Sequence, residues 1–266
     1  MKIGLIGAGR LGICLALLIE QEGYHVIASD VREDYVKDLQ NKKINSTEPQ
    51  VQELLEHSIN LEFTTDNRKV IRESDIIFTL VQTPSLEDGS YDVSAVWKVV
   101  EDIKQEMSSI ANYPKSFVVG CTTNPGDCDQ FKDALPESVD VYYNPEFIAQ
   151  GSIVDDLRHA DMVLLGGKGQ HSGALEMMYY QIQNGFKVAN VHTMSTRAAE
   201  LTKIAVNCYL TTKITYANQV GQVMIRDGME EEVKTVLKAI GGDSRIGTKY
   251  LNYGFGFGGP CFPRDN

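Results

Sequence analysis

Cys261 stands in a glycine-rich run, Gly254-Phe-Gly-Phe-Gly-Gly-Pro-Cys-Phe-Pro-Arg-Asp265. Glycines let backbone and ligand approach closely, so such a run surrounds a bound molecule more readily than it builds a helix or strand. The chemistry this suggests is that of a nucleophilic thiolate; the competing reading is a buried, inert thiol beside a turn. In Glu200-Leu-Thr-Lys-Ile-Ala-Val-Asn207, Lys203 and Asn207 are four apart and point from one face of a helix. An ammonium with an amide one turn later can stabilise an alkoxide or a tetrahedral oxyanion. A solvated helix face is the alternative.

A third group opens the chain. Met1-Lys-Ile-Gly-Leu-Ile-Gly-Ala-Gly-Arg-Leu-Gly12 is a short apolar strand running into Gly7, Gly9 and Gly12, followed by helically spaced Leu15, Leu18 and Ile19. Gly7 permits the tight turn, Gly9 lets a pyrophosphate reach the backbone, and Gly12 allows close helix–strand packing, while the helix N-terminus offers N–H groups to phosphates. A second strand, His25-Val-Ile-Ala-Ser29, ends at Asp30, close to the ~20-residue offset of the acid that holds the adenosine ribose hydroxyls. An aspartate there repels a 2′-phosphate, so NAD is favoured over NADP. The alternative is a plain βα turn with Asp30 capping a loop.

These groups need a frame, and the chain alternates strand and helix through about residue 192. Expected strands are Ile76–Val81, Phe117–Gly120, Val139–Tyr142, Met162–Leu165 and Lys187–Val191, with helices such as Val93 to Ile110 between them. That order implies an α/β, Rossmann-like, doubly wound and mostly parallel sheet. From Ser195 one long helix is expected, stopping at Gly228, a spine and a dimer contact, followed by a small helical segment. We therefore divide the chain into a cofactor domain, 1–194, and a segment of 195–266 carrying the long helix and Cys261. Ligands of such sheets bind beyond the strands' carboxyl ends. The loops there are Val81-Gln-Thr-Pro84, Gly120-Cys-Thr-Thr-Asn-Pro-Gly126 and Tyr143-Asn-Pro-Glu-Phe147, which bring Thr122 and Glu146 toward the cofactor crevice.

Composition narrows the class. A chain of 266 residues with 42% hydrophobic content can bury one large core or a core with a satellite. The net charge of -11, with no long basic stretch, argues against nucleic acid or an anionic membrane as partner. No apolar run approaches the roughly 20 residues that span a bilayer, and the N-terminus reads as a strand rather than a signal peptide, so a cytoplasmic protein is expected. Cys14, Cys121, Cys128, Cys208 and Cys261 are scattered without metal-type spacing; free thiols and no bound metal are expected.

Taken in order, the Gly7–Gly12 turn, Val81-Gln-Thr-Pro84, Cys121-Thr122, Asn144-Pro-Glu-Phe147, Lys203 with Asn207, Arg245-Ile-Gly247 and Gly256-Phe-Gly-Gly-Pro-Cys-Phe-Pro-Arg-Asp265 resemble the nucleotide-sugar dehydrogenases typified by UDP-glucose 6-dehydrogenase. The resemblance covers the whole chain. Those enzymes continue into a second Rossmann-like domain, so this chain looks like their front part. The resemblance implies oxidation of a primary alcohol to a carboxylate with two NAD, through a thiohemiacetal and a thioester on Cys261. It makes Lys203, Asn207 and Asp265 the groups around the reacting oxygen, and Glu146, with Thr122, the base that activates water. Gly7, Gly9, Arg10, Leu11, Gly12, Asp30, Val81, Thr83, Pro84, Cys121 and Thr122 would hold NAD. Glu146, Phe147, Ile148, Lys203, Asn207, Arg245, Asn252, Phe257 and Gly258 would hold the nucleotide sugar, UDP-glucose by preference, in a homodimer joined through the long helix. Arg10 stands where the family often has an aromatic, and Cys121 where it has serine. Two alternatives remain at this point: a non-catalytic NAD-binding, dimerising fragment, and a two-electron hydroxyacid dehydrogenase, whose chemistry has no use for Cys261.

Overall fold

Strand residues of this chain sort by parity. In Lys2–Ile6 (β1), Ile3 and Leu5 enter one apolar cluster and Ile6 the other; in Ile76–Thr79 (β4), Ile76 and Phe78 go to the first and Ile77 to the second. Lys115–Val119 (β5) behaves alike, with Val118 on one side and Phe117 and Val119 on the other. Successive side chains of a strand point to opposite faces, so apolar residues at both parities require cover on both faces. Each fully buried Ile, Leu or Phe contributes about 1.5–3 kcal/mol to that arrangement.

The computed structural model describes residues 1–109, 113–183 and 190–256. The remaining strands are His25–Ser29 (β2), Leu61–Thr64 (β3), Val139–Tyr143 (β6), Val163–Gly166 (β7) and Val191–Met194 (β8). Among the described residues they form one sheet in the order β3-β2-β1-β4-β5-β6-β7-β8, parallel throughout except for the β6–β7 pair. The helices are Arg10–Gln21 (α1), Glu33–Gln40 (α2), Val51–His57 (α3), Asn67–Glu73 (α4), Ser94–Ser109 (α5), Asp127–Ala134 (α6), Ile153–Arg158 (α7), Ser172–Ile182 (α8), Thr196–Arg226 (α9) and Val233–Gly241 (α10). The doubly wound, mostly parallel sheet and the long helix are thus as expected. One strand is corrected: β8 begins at Val191, where the expected strand 187–191 ends, and residues 187–189 lie outside the described residues. Val191–Met194 is the segment that pairs residue by residue with β7.

Two compact units make up the chain. Met1–Pro84 with Tyr91–Glu200 holds the sheet; Ser85–Ser90 with the described residues from Leu201 onward forms the other. In the second unit Ala217 and Met224 of α9 pack with Val233 and Leu237 of α10 and with Leu251. The helix α9 has 31 residues, about 46 Å at 1.5 Å per residue. It ends as a glycine-terminated helix should: Gly228 takes φ +76°, its N–H reaches Ile225 O, and Met229 N–H returns to Met224 O at 2.8 Å. The segment after α10 is strapped to α9. Lys213 Nζ donates to Ile246 O (3.0 Å), Asn218 bonds both Gly254 N–H (2.9 Å) and Phe255 O (2.7 Å), and the Tyr253 ring lies against Gly221, where a Cβ would come within 2.0 Å of it.

Candidate active site

Register decides which loops meet. Ile6 pairs with Thr79, Thr79 with Val119 and Val119 with Tyr143, so β1, β4, β5 and β6 end level with one another. Three backbone bonds extend the ladders past those ends: Leu80 N–H to Ile6 O, Gly120 N–H to Thr79 O and Asn144 N–H to Val119 O. The Gly7 turn, Val81–Pro84, Cys121–Thr122 and Asn144–Ile148 therefore leave the same edge side by side, roughly 4.8 Å per strand apart. The sheet order reverses between β1 and β4, the place where such folds bind ligand.

The three glycines of the first turn are required for three different reasons. Gly7 has φ +100°, and a Cβ there would lie 2.7 Å from Leu80 O; at Gly12 it would lie 2.1 Å from Gly7 O. At Gly9 it would meet nothing within 4 Å, so the backbone is open to an approaching ligand. Gly9 caps α1 with no side-chain cap bond among the described residues, so the first-turn N–H groups and the helix dipole suit a phosphate. The site fits a dinucleotide pyrophosphate. A methyl at Gly12 cannot be absorbed by a flexible neighbour, because it meets backbone; Gly12→Ala is expected to destabilise the chain by about 1–3 kcal/mol and weaken NAD binding. Thermal unfolding and an NAD titration check this, and unchanged values in both would contradict it.

Arg10, the first residue of α1, is engaged by residues of two other loops. Its Nη1 donates to Gln150 Oε1 (2.8 Å), and its Nε lies 3.9 Å from Glu48. Glu48 is buried and accepts both from Gly151 N–H (2.9 Å to each oxygen) and from Ile153 N–H (3.3 Å). Leu11 is half-buried against the core, Thr83 is buried, Val81 half-buried and Pro84 exposed. Asp30 is buried at the end of β2 and paired with Arg32.

The Glu146 loop is held from two sides. Asn144 is buried and donates from Nδ2 to Leu164 O (3.0 Å). The Tyr179 hydroxyl, from α8, sits between Asn144 Oδ1 and Glu146 Oε1, 2.8 Å from the latter, so its proton is shared between two acceptors. Burial, then the Glu146 charge beside it, pushes the Tyr179 phenol well above its ordinary range, and it stays a donor. Glu146, Phe147 and Ile148 are each half-buried. Thr122 and Cys121 are buried in the neighbouring loop.

That neighbouring loop is anchored by Glu200 in the first turns of α9. Its wholly buried carboxylate accepts from Thr123 Oγ1 (2.9 Å), Gly126 N–H (2.6 Å) and Cys128 N–H (2.9 Å), the last two at the start of α6. Burial, reinforced by Glu200, pushes the Cys128 thiol up, and burial pushes Cys14 up to about 12. Neither is a nucleophile at neutral pH.

On α9 the buried positions run 199, 200, 203, 207, 211, 214, 217, 221 and 224, and exposed positions such as 201, 205, 209, 212, 216, 219 and 223 lie about two residues out of step and so on the opposite face. Lys203 and Asn207 follow Glu200 in the buried stripe, which excludes the solvated-face reading. Arg245 is exposed and folded onto Asp243, with Nη2–Oδ2 at 2.7 Å and Nε–Oδ1 at 3.0 Å; Asn252 is exposed. Cys261, Asp265, Phe257 and Gly258 lie outside the described residues. Among the described residues no cluster of His, Cys, Asp or Glu could hold a metal, and no helix is long and apolar enough to cross a membrane.

Two family models match this chain: the NAD binding domain of the UDP-glucose/GDP-mannose dehydrogenase family over residues 1–183 and the central domain of the same family over residues 197–266. The chain belongs to that family. NAD is the cofactor of the matched N-terminal domain, in keeping with the glycine turn. The chain is 30% identical over 274 residues to the UDP-glucose 6-dehydrogenase TuaD of Bacillus subtilis, covering 99% of this chain and 57% of that protein. Its fold matches a UDP-glucose dehydrogenase structure from the archaeon Pyrobaculum islandicum with a TM-score of 0.90 and 29% identity, over 99% of this chain and 62% of that one. A GDP-mannose dehydrogenase ternary complex from Pseudomonas aeruginosa matches with a TM-score of 0.81 and 26% identity, over 100% and 62%. The chain thus spans about 60% of the length of these relatives.

For this family member, sequence reasoning passed over Tyr179, Glu200 and Glu48. Glu200 carried a signal, since it precedes Lys203 and Asn207 at i, i+3 and i+7 on one helix face. Tyr179 and Glu48 carried none, because each meets its partners far along the chain.

Proposed function

We propose that this chain carries the cofactor domain (1–194) and the catalytic segment (195–266) of an NAD-dependent nucleotide-sugar dehydrogenase that oxidises the C6 alcohol of UDP-glucose, or a related nucleotide sugar, to the uronate. The observation that supports it most is the burial of Lys203 and Asn207, an ammonium and an amide, at consecutive turns on one face of α9. Bound NAD supplies the hydride acceptor, two molecules being reduced per sugar. Lys203 and Asn207 donate to the C6 oxygen as it gains charge, and the alcohol proton passes to water near Asp265. The Cys261 thiolate adds to the aldehyde carbon to give a thiohemiacetal, which keeps the aldehyde from escaping. Loss of a second hydride and the hydroxyl proton leaves a thioester. Glu146, aimed by Tyr179 and assisted by Thr122, takes a proton from water, the C–S bond breaks, and thiolate and carboxylate are released. Phe147, Ile148, Asn252, Phe257 and Gly258 line the sugar nucleotide, and Arg245 exchanges Asp243 for its diphosphate.

Glu146→Gln keeps an oxygen for Tyr179 and removes the base. It is expected to slow hydrolysis roughly 10²–10⁴-fold and to accumulate a uronyl adduct on Cys261, detectable by peptide mass spectrometry after incubation with NAD and UDP-glucose. Unchanged turnover without an adduct would overturn the assignment. The protein works as a cytoplasmic homodimer joined along α9, whose outward stripe presents Tyr209, Tyr216 and Val223; sedimentation as a monomer at micromolar concentration would contradict this.

A further inference from the structure

Asp30 stands where a lone acid would receive the adenosine ribose hydroxyls, yet here it is not alone. Arg32 Nε donates to Oδ1 (2.8 Å), Arg32 Nη2 to Oδ2 (2.9 Å), and the Arg32 backbone N–H to Oδ1 (3.1 Å). The guanidinium carbon lies 4.1 Å from the centre of the Tyr35 ring, which backs its plane. Burial pushes the Asp30 carboxyl up, but the bonds and charge of Arg32 outweigh it and hold the group below its ordinary range. The carboxylate side chain is 8% exposed and the guanidinium side chain 57%. This edge of the site therefore presents an outward cation covering an inward anion, not a bare negative charge. Glu33 and Asp34 begin α2 beside it, exposed, and Lys37 pairs with Asp34 at 3.3 Å.

The pairing leaves capacity on both partners. Oδ2 accepts once from Arg32 and keeps a lone pair for a ribose hydroxyl, while Oδ1 already accepts twice, and of the five guanidinium donors only two are engaged by Asp30. We propose that Arg32 is a cofactor-selectivity residue, through which the adenosine site of this chain accepts a 2′-phosphorylated dinucleotide, NADP, as well as NAD. The Asp30 charge that would repel the 2′-phosphate is offset by its own partner. The remaining N–H groups of the fork match a phosphate's oxygens. This rests on the reading of the Gly7–Gly12 turn and Asp30 as the dinucleotide site and extends it to a second cofactor class.

The test is calorimetric binding of NAD, NADP, AMP and adenosine 2′,5′-bisphosphate to the purified chain and to its Arg32→Ala and Arg32→Lys variants. The Arg32 side chain makes no capping bond to α2, so its replacement leaves the helix start intact. The wild-type chain is expected to bind NADP within roughly tenfold of NAD, and Arg32→Ala to raise the ratio of the NADP to the NAD dissociation constant by roughly 30-fold. The same change should appear in the bisphosphate to AMP ratio, with Arg32→Lys between. More than roughly 100-fold discrimination against NADP by the wild-type chain, or equal weakening of both cofactors in Arg32→Ala, would overturn the proposal. Binding of neither NAD nor AMP by the wild-type chain would overturn the cofactor site itself and the proposal with it.

Discussion

Replacing Cys261 with serine is expected, on the proposed mechanism, to stop oxidation after the first hydride. A serine hydroxyl is almost wholly protonated at neutral pH, whereas a thiol is readily ionised beside cationic groups and is intrinsically the better nucleophile. Without the covalent adduct the aldehyde hydrates or leaves, and the second oxidation falls on the order of 10⁴-fold or more, the scale of losing a covalent nucleophile. Rapid-quench measurement of NADH against sugar aldehyde shows this directly: one NADH per aldehyde in Cys261→Ser. Uronate formation by that variant at the wild-type rate would remove Cys261 from the mechanism. The thiols of Cys14 and Cys128 do not substitute for it, since burial holds both in the protonated form.

On the proposed mechanism, Lys203→Ala is expected to lower kcat by roughly 10²–10³-fold, the usual effect of deleting one preorganised donor at a developing oxyanion. Lys203 is 8% exposed and Asn207 6%, so their donors act where water screens little. Because the charge matters most as the oxygen becomes negative, the loss falls on kcat more than on KM. Steady-state kinetics with UDP-glucose separates the two. A variant whose KM rises with kcat intact would reduce Lys203 to a binding residue. Asn207→Ala serves as the companion, and because the two donors act on one oxygen their effects should not add.

The parts readable from sequence were those written in local pattern. The glycine turn was legible because each glycine answers a separate local demand, and the clash distances at Gly7 and Gly12 bear this out. The order of strands followed from apolar runs between helices, and the end of α9 from Gly228. The short strand β3, Leu-Glu-Phe-Thr, has only one buried residue and gave too little pattern to name. β8 was misplaced because the apolar run in Lys187-Val-Ala-Asn-Val191 competes with Val191-His-Thr-Met194, and only pairing with β7 decides between them. What stayed hidden was tertiary. Tyr179 reads as one apolar position of a helix, but its hydroxyl is spent on residues 33 and 35 positions earlier. Arg32 was in plain view two residues after Asp30, yet its bidentate grip depends on the turn between β2 and α2 and not on spacing alone.

The most direct test of the central claim is the number of NADH formed per UDP-glucose consumed by the purified chain, with GDP-mannose run in parallel. Two per sugar, with uronate as product, is the predicted result. One per sugar with the aldehyde released, or none while NAD still binds, would contradict a double oxidation through Cys261.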